Sequence, residues 1–130
     1  MNKTIKVSVH VKGDEYKDVW LFIDQICCVE NFPNSPFSKS IIITTKGEFL
    51  VKEGFKDIEA LLTDFISTIK FINSLTFNRA IGVLVNPNQI LYLESNKQGQ
   101  TEINFCTLHK DYSILLFNSV DEVNELIKLK

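Results

Sequence analysis

The chain has 130 residues, 45% hydrophobic and 23% charged, with a formal net charge of −2. That length buries a core without disulfide or metal staples, and the composition is too apolar for a disordered chain and too evenly charged for an obligate polyanion binder. No apolar run approaches the ~20 residues that cross a bilayer, and the alternation of Asn2-Lys3-Thr4-Ile5-Lys6 is unlike a signal peptide, so a cytoplasmic protein without a membrane partner is expected.

Residues 4–11 alternate strictly, with Ile5, Val7, Val9 and Val11 on one face and Lys6, Ser8 and His10 on the other. This is the period of a half-buried strand. Lys12-Gly13-Asp14-Glu15 reads as a hairpin turn. The returning strand, 17–23, is apolar on both faces, setting Val19, Leu21 and Ile23 against Trp20 and Phe22. Such a strand is expected to be central or covered on both sides. Asp24-Gln25 breaks it, and 26–30 forms another short strand. Cys27 and Cys28 stand side by side there, so their side chains should point to opposite faces and cannot grip one ion. They read as core fillers.

Residues 30–39, with Pro33, Asn34 and Pro36, form a loop. Residues 40–45 and 48–51 make a hairpin around Lys46-Gly47. From Phe55 onward, Ile58, Leu62, Phe65, Ile69 and Ile72 fall at spacings of three and four. That stripe predicts a helix of about 18 residues in which Phe65, Ile69 and Ile72 are buried. Gly54 is an acceptable N-cap, and Asp57 and Glu59 sit near the positive end of its dipole.

After Asn73 the pattern restarts. Strands are predicted at 80–85, 90–94, 101–107 and 112–117, with a turn at Asn86-Pro87-Asn88 and a polar loop at 95–99. Ser119-Val120-Asp121-Glu122 is a capping box opening a terminal helix whose stripe is Val120, Val123, Leu126 and Ile127. The two halves align: Gln25-Ile26-Cys27-Cys28-Val29-Glu30 with Gln89-Ile90-Leu91-Tyr92-Leu93-Glu94, and the helix start at Phe55 with that at Val120. Self-similarity over 50 to 60 residues or so suggests duplication of one supersecondary unit. The expected fold is α+β: two tandem strand-rich units, 1–75 and 76–130, each ending in a C-terminal helix. They stand apart or merge into one compact, pseudo-duplicated domain.

The stretches Asn86-Pro87-Asn88-Gln89-Ile90-Leu91-Tyr92-Leu93-Glu94 and Asn118-Ser119-Val120-Asp121-Glu122-Val123 resemble the small bacterial FlbD-like family, found beside flagellar genes. The resemblance covers about residues 85–127, and Leu108-His109-Lys110 stands where that family has a hairpin glycine. It implies a strand hairpin followed by a helix, and no enzymatic activity. Ile90-Leu91-Tyr92-Leu93-Glu94 is also similar to the LytTR class of DNA-binding domains, which approach DNA through basic loops. The corresponding loops here, 32–39 and 96–100, carry one lysine each.

The chemistry is sparse. His10 and His109 are the only histidines, and no four Cys or His residues fall at zinc-ligand spacing. Cys106 lies three residues from His109, a proximity that is common by chance across a turn and makes no triad by itself. Five glycines build no phosphate loop. Glu30 and Glu94 occupy matching repeat positions and read as strand-end carboxylates. Arg79 is the only arginine, which disfavours sequence-specific nucleic-acid reading. No catalytic residue, metal ligand or cofactor is therefore expected.

The candidate partner-binding residues are Phe32, Pro33, Pro36 and Phe37. Two phenylalanines on a proline-restricted loop either fold back on the core or are offered to a partner. The expected function is a non-enzymatic protein-binding or structural assembly module. It would self-associate or belong to a larger complex such as a phage particle. The alternative is a LytTR-like DNA-binding regulator.

Overall fold

Strands β1 (Thr4–Lys12) and β2 (Glu15–Phe22) form an antiparallel hairpin, with Thr4 opposite Phe22 and His10 opposite Tyr16. The computed structural model describes residues 3–33, 35–72, 74–75, 82–105, 107 and 112–128. Gly13 turns the hairpin at φ 51°, a conformation that favours glycine. The alternation of β1 sets its faces: Ile5, Val7 and Val9 are buried. The two-faced apolar pattern of β2 does not make it central. It is the edge strand of its sheet, and Trp20 and Phe22 remain 57% and 49% exposed.

A 3-10 turn (Ile23–Gln25) leads into β3 (Ile26–Asn31), followed by β4 (Ser40–Thr44), β5 (Gly47–Val51) and helix α1 (Phe55–Thr63). Then come β6 (Ile69–Phe71), β7 (Ser74–Leu75), β8 (Val83–Val85), a second 3-10 turn (Pro87–Gln89), β9 (Ile90–Ser95), β10 (Thr101–Phe105), β11 (Ser113–Leu116) and α2 (Val120–Lys128). The fold is α+β, with every strand pair antiparallel among the described residues. Seven strands form one sheet in the order β2-β1-β5-β4-β3-β8-β6, and four form another, β7-β11-β10-β9.

The long helix predicted from Phe55 to Ile72 stops at Thr63. Phe65 and Ile72 are 42% and 73% exposed, while Ile69 is buried as part of a strand. Spacings of three and four continued past Thr63, but Ile69 and Phe71 found a better partner in β8, pairing with Val85 and Val83. Tertiary pairing overrides a helical stripe when a ladder is on offer. The capping box at α2 forms as expected. The Ser119 N–H donates to Glu122 Oε1 at 3.1 Å, and the Glu122 N–H to Ser119 Oγ at 3.2 Å. Those bonds hold the Glu122 carboxyl below its ordinary pKa.

The large sheet is covered unequally. Helix α1 lies on one face, where Ile58 and Leu62 pack with Ile5, Val7, Val29, Ile42 and Val51. Full burial of such side chains stabilises by about 1.5–3 kcal/mol each. On the other face, Ile103, Phe105, Ile114 and Leu116 of the small sheet and Val123 of α2 pack on Cys28, Ile41, Ile43, Val83 and Val85. That core draws on β3, β4, β6 and β8 of the large sheet, and on no residue of β1, β2 or β5. A boundary at 75/76 is therefore crossed twice, by this shared core and by β8, which pairs with both β3 and β6.

The order of 3-10 turn, three-stranded meander and helix occurs twice, and matching positions share details. A register shift skips Cys27 in β3 and Leu91 in β9. Ser40 Oγ donates to the Glu53 carbonyl at 2.9 Å, and Thr101 Oγ1 donates to the Asn118 carbonyl at 2.8 Å. Each ties the start of a middle strand to the residue two before a helix. The Val9–Val51 bridge of β1 and β5 has its counterpart in Ser74–Leu116 of β7 and β11. The bulge also corrects the expectation that Cys27 and Cys28 point apart, because both side chains enter the core between the sheets.

Candidate functional site

Among the described residues, the small sheet does not reach β2, β1 and β5 on the face opposite α1. Directly opposite residues of an antiparallel pair share a face. Tyr16, Asp18, Trp20 and Phe22 of β2 therefore stand beside His10, Ser8, Lys6 and Thr4 of β1, away from buried Leu21 and Val9. Leu50 of β5, 41% exposed, joins them because its partner Ile41 lies in the core on that side.

The loop 32–39 completes this surface. The Phe37 ring stacks on the His10 ring at 5.2 Å with planes 6° apart, and Tyr16 packs tilted on His10 at 5.7 Å. Tyr16 donates its hydroxyl hydrogen to the Phe37 carbonyl at 2.5 Å. His10 Nε2 lies 2.8 Å from the Gly13 carbonyl, which can only accept, so that nitrogen carries the proton. Lys52 Nζ sits over the Tyr16 ring, 5.2 Å from its centroid. Lys6 lies 5.6 Å from the Trp20 centroid and 3.6 Å from Asp18. Beyond Trp20 and Phe22 an open groove of about 480 Å³ runs toward Thr44, Lys46 and Phe49.

The loop residues expected to act together are divided. Phe32 is half-buried and packs against the core between the sheets, anchoring the loop. Phe37 is 41% exposed. Pro33 and Pro36 are exposed. Asn34 lies outside the described residues. The loop is held at its base by Phe32 N–H to the Lys39 carbonyl at 3.0 Å and Lys39 N–H to the Val51 carbonyl at 2.9 Å. Inside it, buried Ser38 bonds through both its N–H and its hydroxyl to Ser35 Oγ.

A second polar cluster is buried. Glu30 is fully buried, and Tyr112 donates to its Oε2 at 3.0 Å. Cys28 Sγ lies 3.3 Å from the same hydroxyl oxygen. With its one hydrogen given to Glu30, Tyr112 accepts the weak S–H bond. Burial, ahead of the neighbouring Glu30, Cys27 and Glu48 charges, pushes the Cys28 thiol well up. Burial, then Cys28 and Glu30, pushes the Tyr112 phenol up as well. Both stay protonated, so Cys28 offers no thiolate for nucleophilic attack. The cluster is a latch between β3 and the segment entering β11.

Glu94, which aligns with Glu30 in the sequence, is exposed on β9, so the two carboxylates do not share an environment. Cys106, His109 and Arg79 lie outside the described residues. Among those described, no three His, Cys, Asp or Glu side chains converge to hold a metal ion. No described helix is long and apolar enough to cross a membrane. Sequence reading assigned His10 no role and missed Tyr16, Trp20 and Phe22. The signal was present in the i, i+2 run Tyr16-x-Asp18-x-Trp20-x-Phe22, which the apolar reading of the strand hid. No family model, curated protein or solved structure matches this chain.

Proposed function

We propose that this protein is a non-enzymatic binding module that holds a protein partner on the bare face of its large sheet, within an assembly of which a phage particle is one version. The observation that carries the reading is the Phe37–His10–Tyr16 stack, continued along β2 by Trp20 and Phe22. Large aromatics already fixed in place lose little freedom on binding, which is the property of interface anchors. Protonated Cys28, buried, and Tyr112, partly buried, speak for a structural cluster where a catalytic one would need an activated group.

The test is affinity isolation from the native host with the parent chain and with a Trp20→Ser, Phe37→Ser double variant. A protein retained by the parent and lost by the folded variant supports the surface. Equal recovery by both removes it. Retention of duplex DNA with affinity falling steeply in salt would replace this reading with a DNA-binding regulator, because phosphate contacts release counterions.

A further inference from the structure

The open groove beyond Trp20 and Phe22 divides into two kinds of lining. The apolar part comes from β2 and β5. Leu21 is buried, Phe49 packs against the core under α1, and Trp20 and Phe22 stand exposed two residues apart on one side of their strand. The polar part comes from Gln25, in the 3-10 turn after β2, and from the turn between β4 and β5.

That polar part offers donors. Thr45 gives its hydroxyl hydrogen to the Gln25 side-chain oxygen and its N–H to the Gln25 carbonyl at 2.9 Å. Gln25 is thereby held by its oxygens, and its side-chain NH2 is what it has left to give. The Thr44 hydroxyl donates to the Gly47 carbonyl at 2.8 Å and accepts the Lys46 N–H at 3.2 Å. Lys46 carries the one charge in the lining, and no described carboxylate lies within ion-pair distance of its ammonium. Asp24 and Glu48 are exposed and outside the lining, and Asp18 on the adjoining face is matched by Lys6 at 3.6 Å.

We infer that this groove takes an acidic segment of the partner protein, with an apolar side chain against Trp20 and Phe22 and a carboxylate at Lys46 and Gln25. The inference rests on the reading of the aromatic face as a protein-binding surface, and it names the chemistry of what binds there. Charge complementarity selects the occupant. A basic segment meets a like charge at Lys46, and a neutral one covers an unmatched ammonium without returning its hydration. Single-stranded nucleic acid also joins an anion to a stacking face. It carries a charge at every nucleotide, however, and is held by a row of cations, where this groove has one. The groove is small, so an isolated segment binds weakly.

Trp20 is the only tryptophan of the chain and lines the groove, so its fluorescence reports occupancy. The probes are capped peptides of two leucines flanked on both sides by glutamates, by glutamines or by lysines, titrated to millimolar concentration. The glutamate peptide is expected to bind at least ~3-fold tighter than the glutamine peptide, with the lysine peptide weakest and the differences shrinking in high salt. Lys46→Glu should weaken the glutamate peptide by about 5-fold or more, and Lys46→Arg should keep it. Lys97→Glu makes the same charge change on the exposed turn after β9 and should leave binding as it is, with melting temperature confirming each fold. Equal binding of the glutamate and glutamine peptides, no response to any peptide, or a Lys46→Glu variant no weaker than Lys97→Glu overturns the inference. So does a response to oligothymidylate without one to the glutamate peptide. A host protein lost by the Trp20→Ser, Phe37→Ser variant but held undiminished by Lys46→Glu leaves the binding surface standing and overturns its acidic chemistry.

Discussion

Strands β3 and β9 share a preceding 3-10 turn, a bulge at the same place and a middle-strand partner in the same register, yet they end in opposite surroundings. Cys28 is 1% exposed and its counterpart Tyr92 is 50% exposed. The local template is the same, and what differs is whether a later strand arrives at the outer edge. Burial of a strand in this molecule is decided by its neighbours more than by its own residues.

The comparison can be broken most severely by placing a charge on each strand. Cys28→Lys puts an ammonium into the core between the sheets and should cost several kcal/mol, enough to unfold a marginally stable domain. Tyr92→Lys should leave the melting temperature within about 2 °C of the parent. Equal losses by thermal melt would mean that β9 is as enclosed as β3.

Next in size is the helix of the first half. Ile58→Ala should destabilise by about 2–5 kcal/mol because Ile58 is fully buried. Phe65→Ala, on the same apparent stripe but beyond the helix end, should cost less than ~1 kcal/mol. Denaturant titration of both variants checks where the helical stripe stops.

The latch that ties the halves together responds to alkali. Folding raises the Cys28 and Tyr112 pKa values above their ordinary 9.0 and 10.0. A raised folded pKa gives stability that is complete below the unfolded value and is lost as pH rises, since only the unfolded chain gives up its proton. Stability should hold to about pH 9, then fall by about 1.4 kcal/mol per pH unit through Cys28, and from about pH 10 by about as much again through Tyr112. Cys28→Ala and Tyr112→Phe should each flatten the decline when melts are compared from pH 7 to 10.5. An unchanged slope would show that other groups govern it.

The smallest expected effect tests equivalence directly. Ser40→Ala and Thr101→Val each remove a buried hydroxyl-to-carbonyl bond and should cost about 1 kcal/mol. The double variant should lose the sum, because the sites lie in different sheets.

Much of this fold could be read from the residues alone. The alternation of Ile5, Val7 and Val9, the Lys46-Gly47 turn and the Ser119–Glu122 box are local signals, and they formed as local physics requires. The failures are all non-local. Nothing between Thr63 and Ile69 forbids a helix, so only β8 could reveal that Ile69 and Phe71 belong to a strand. Trp20 and Phe22 look like core until one knows that the small sheet reaches only as far as β4. The candidate site was half legible: the proline loop pointed to Phe37, but its partners His10 and Tyr16 precede it by a whole strand pair.

The position of β8 also sets the order in which the molecule can be completed. The first sheet needs residues 83–85 to close the edge of β3, so a nascent chain ending before them carries Ile-Cys-Cys-Val with one side unpaired. Such a fragment exposes backbone donors and acceptors on an apolar strand, the form most prone to sticking to its own kind. The closing contact joins segments more than 50 residues apart, the kind of pairing whose loop-closure entropy slows folding. Cutting this chain before residue 83 would therefore release an unfinished sheet.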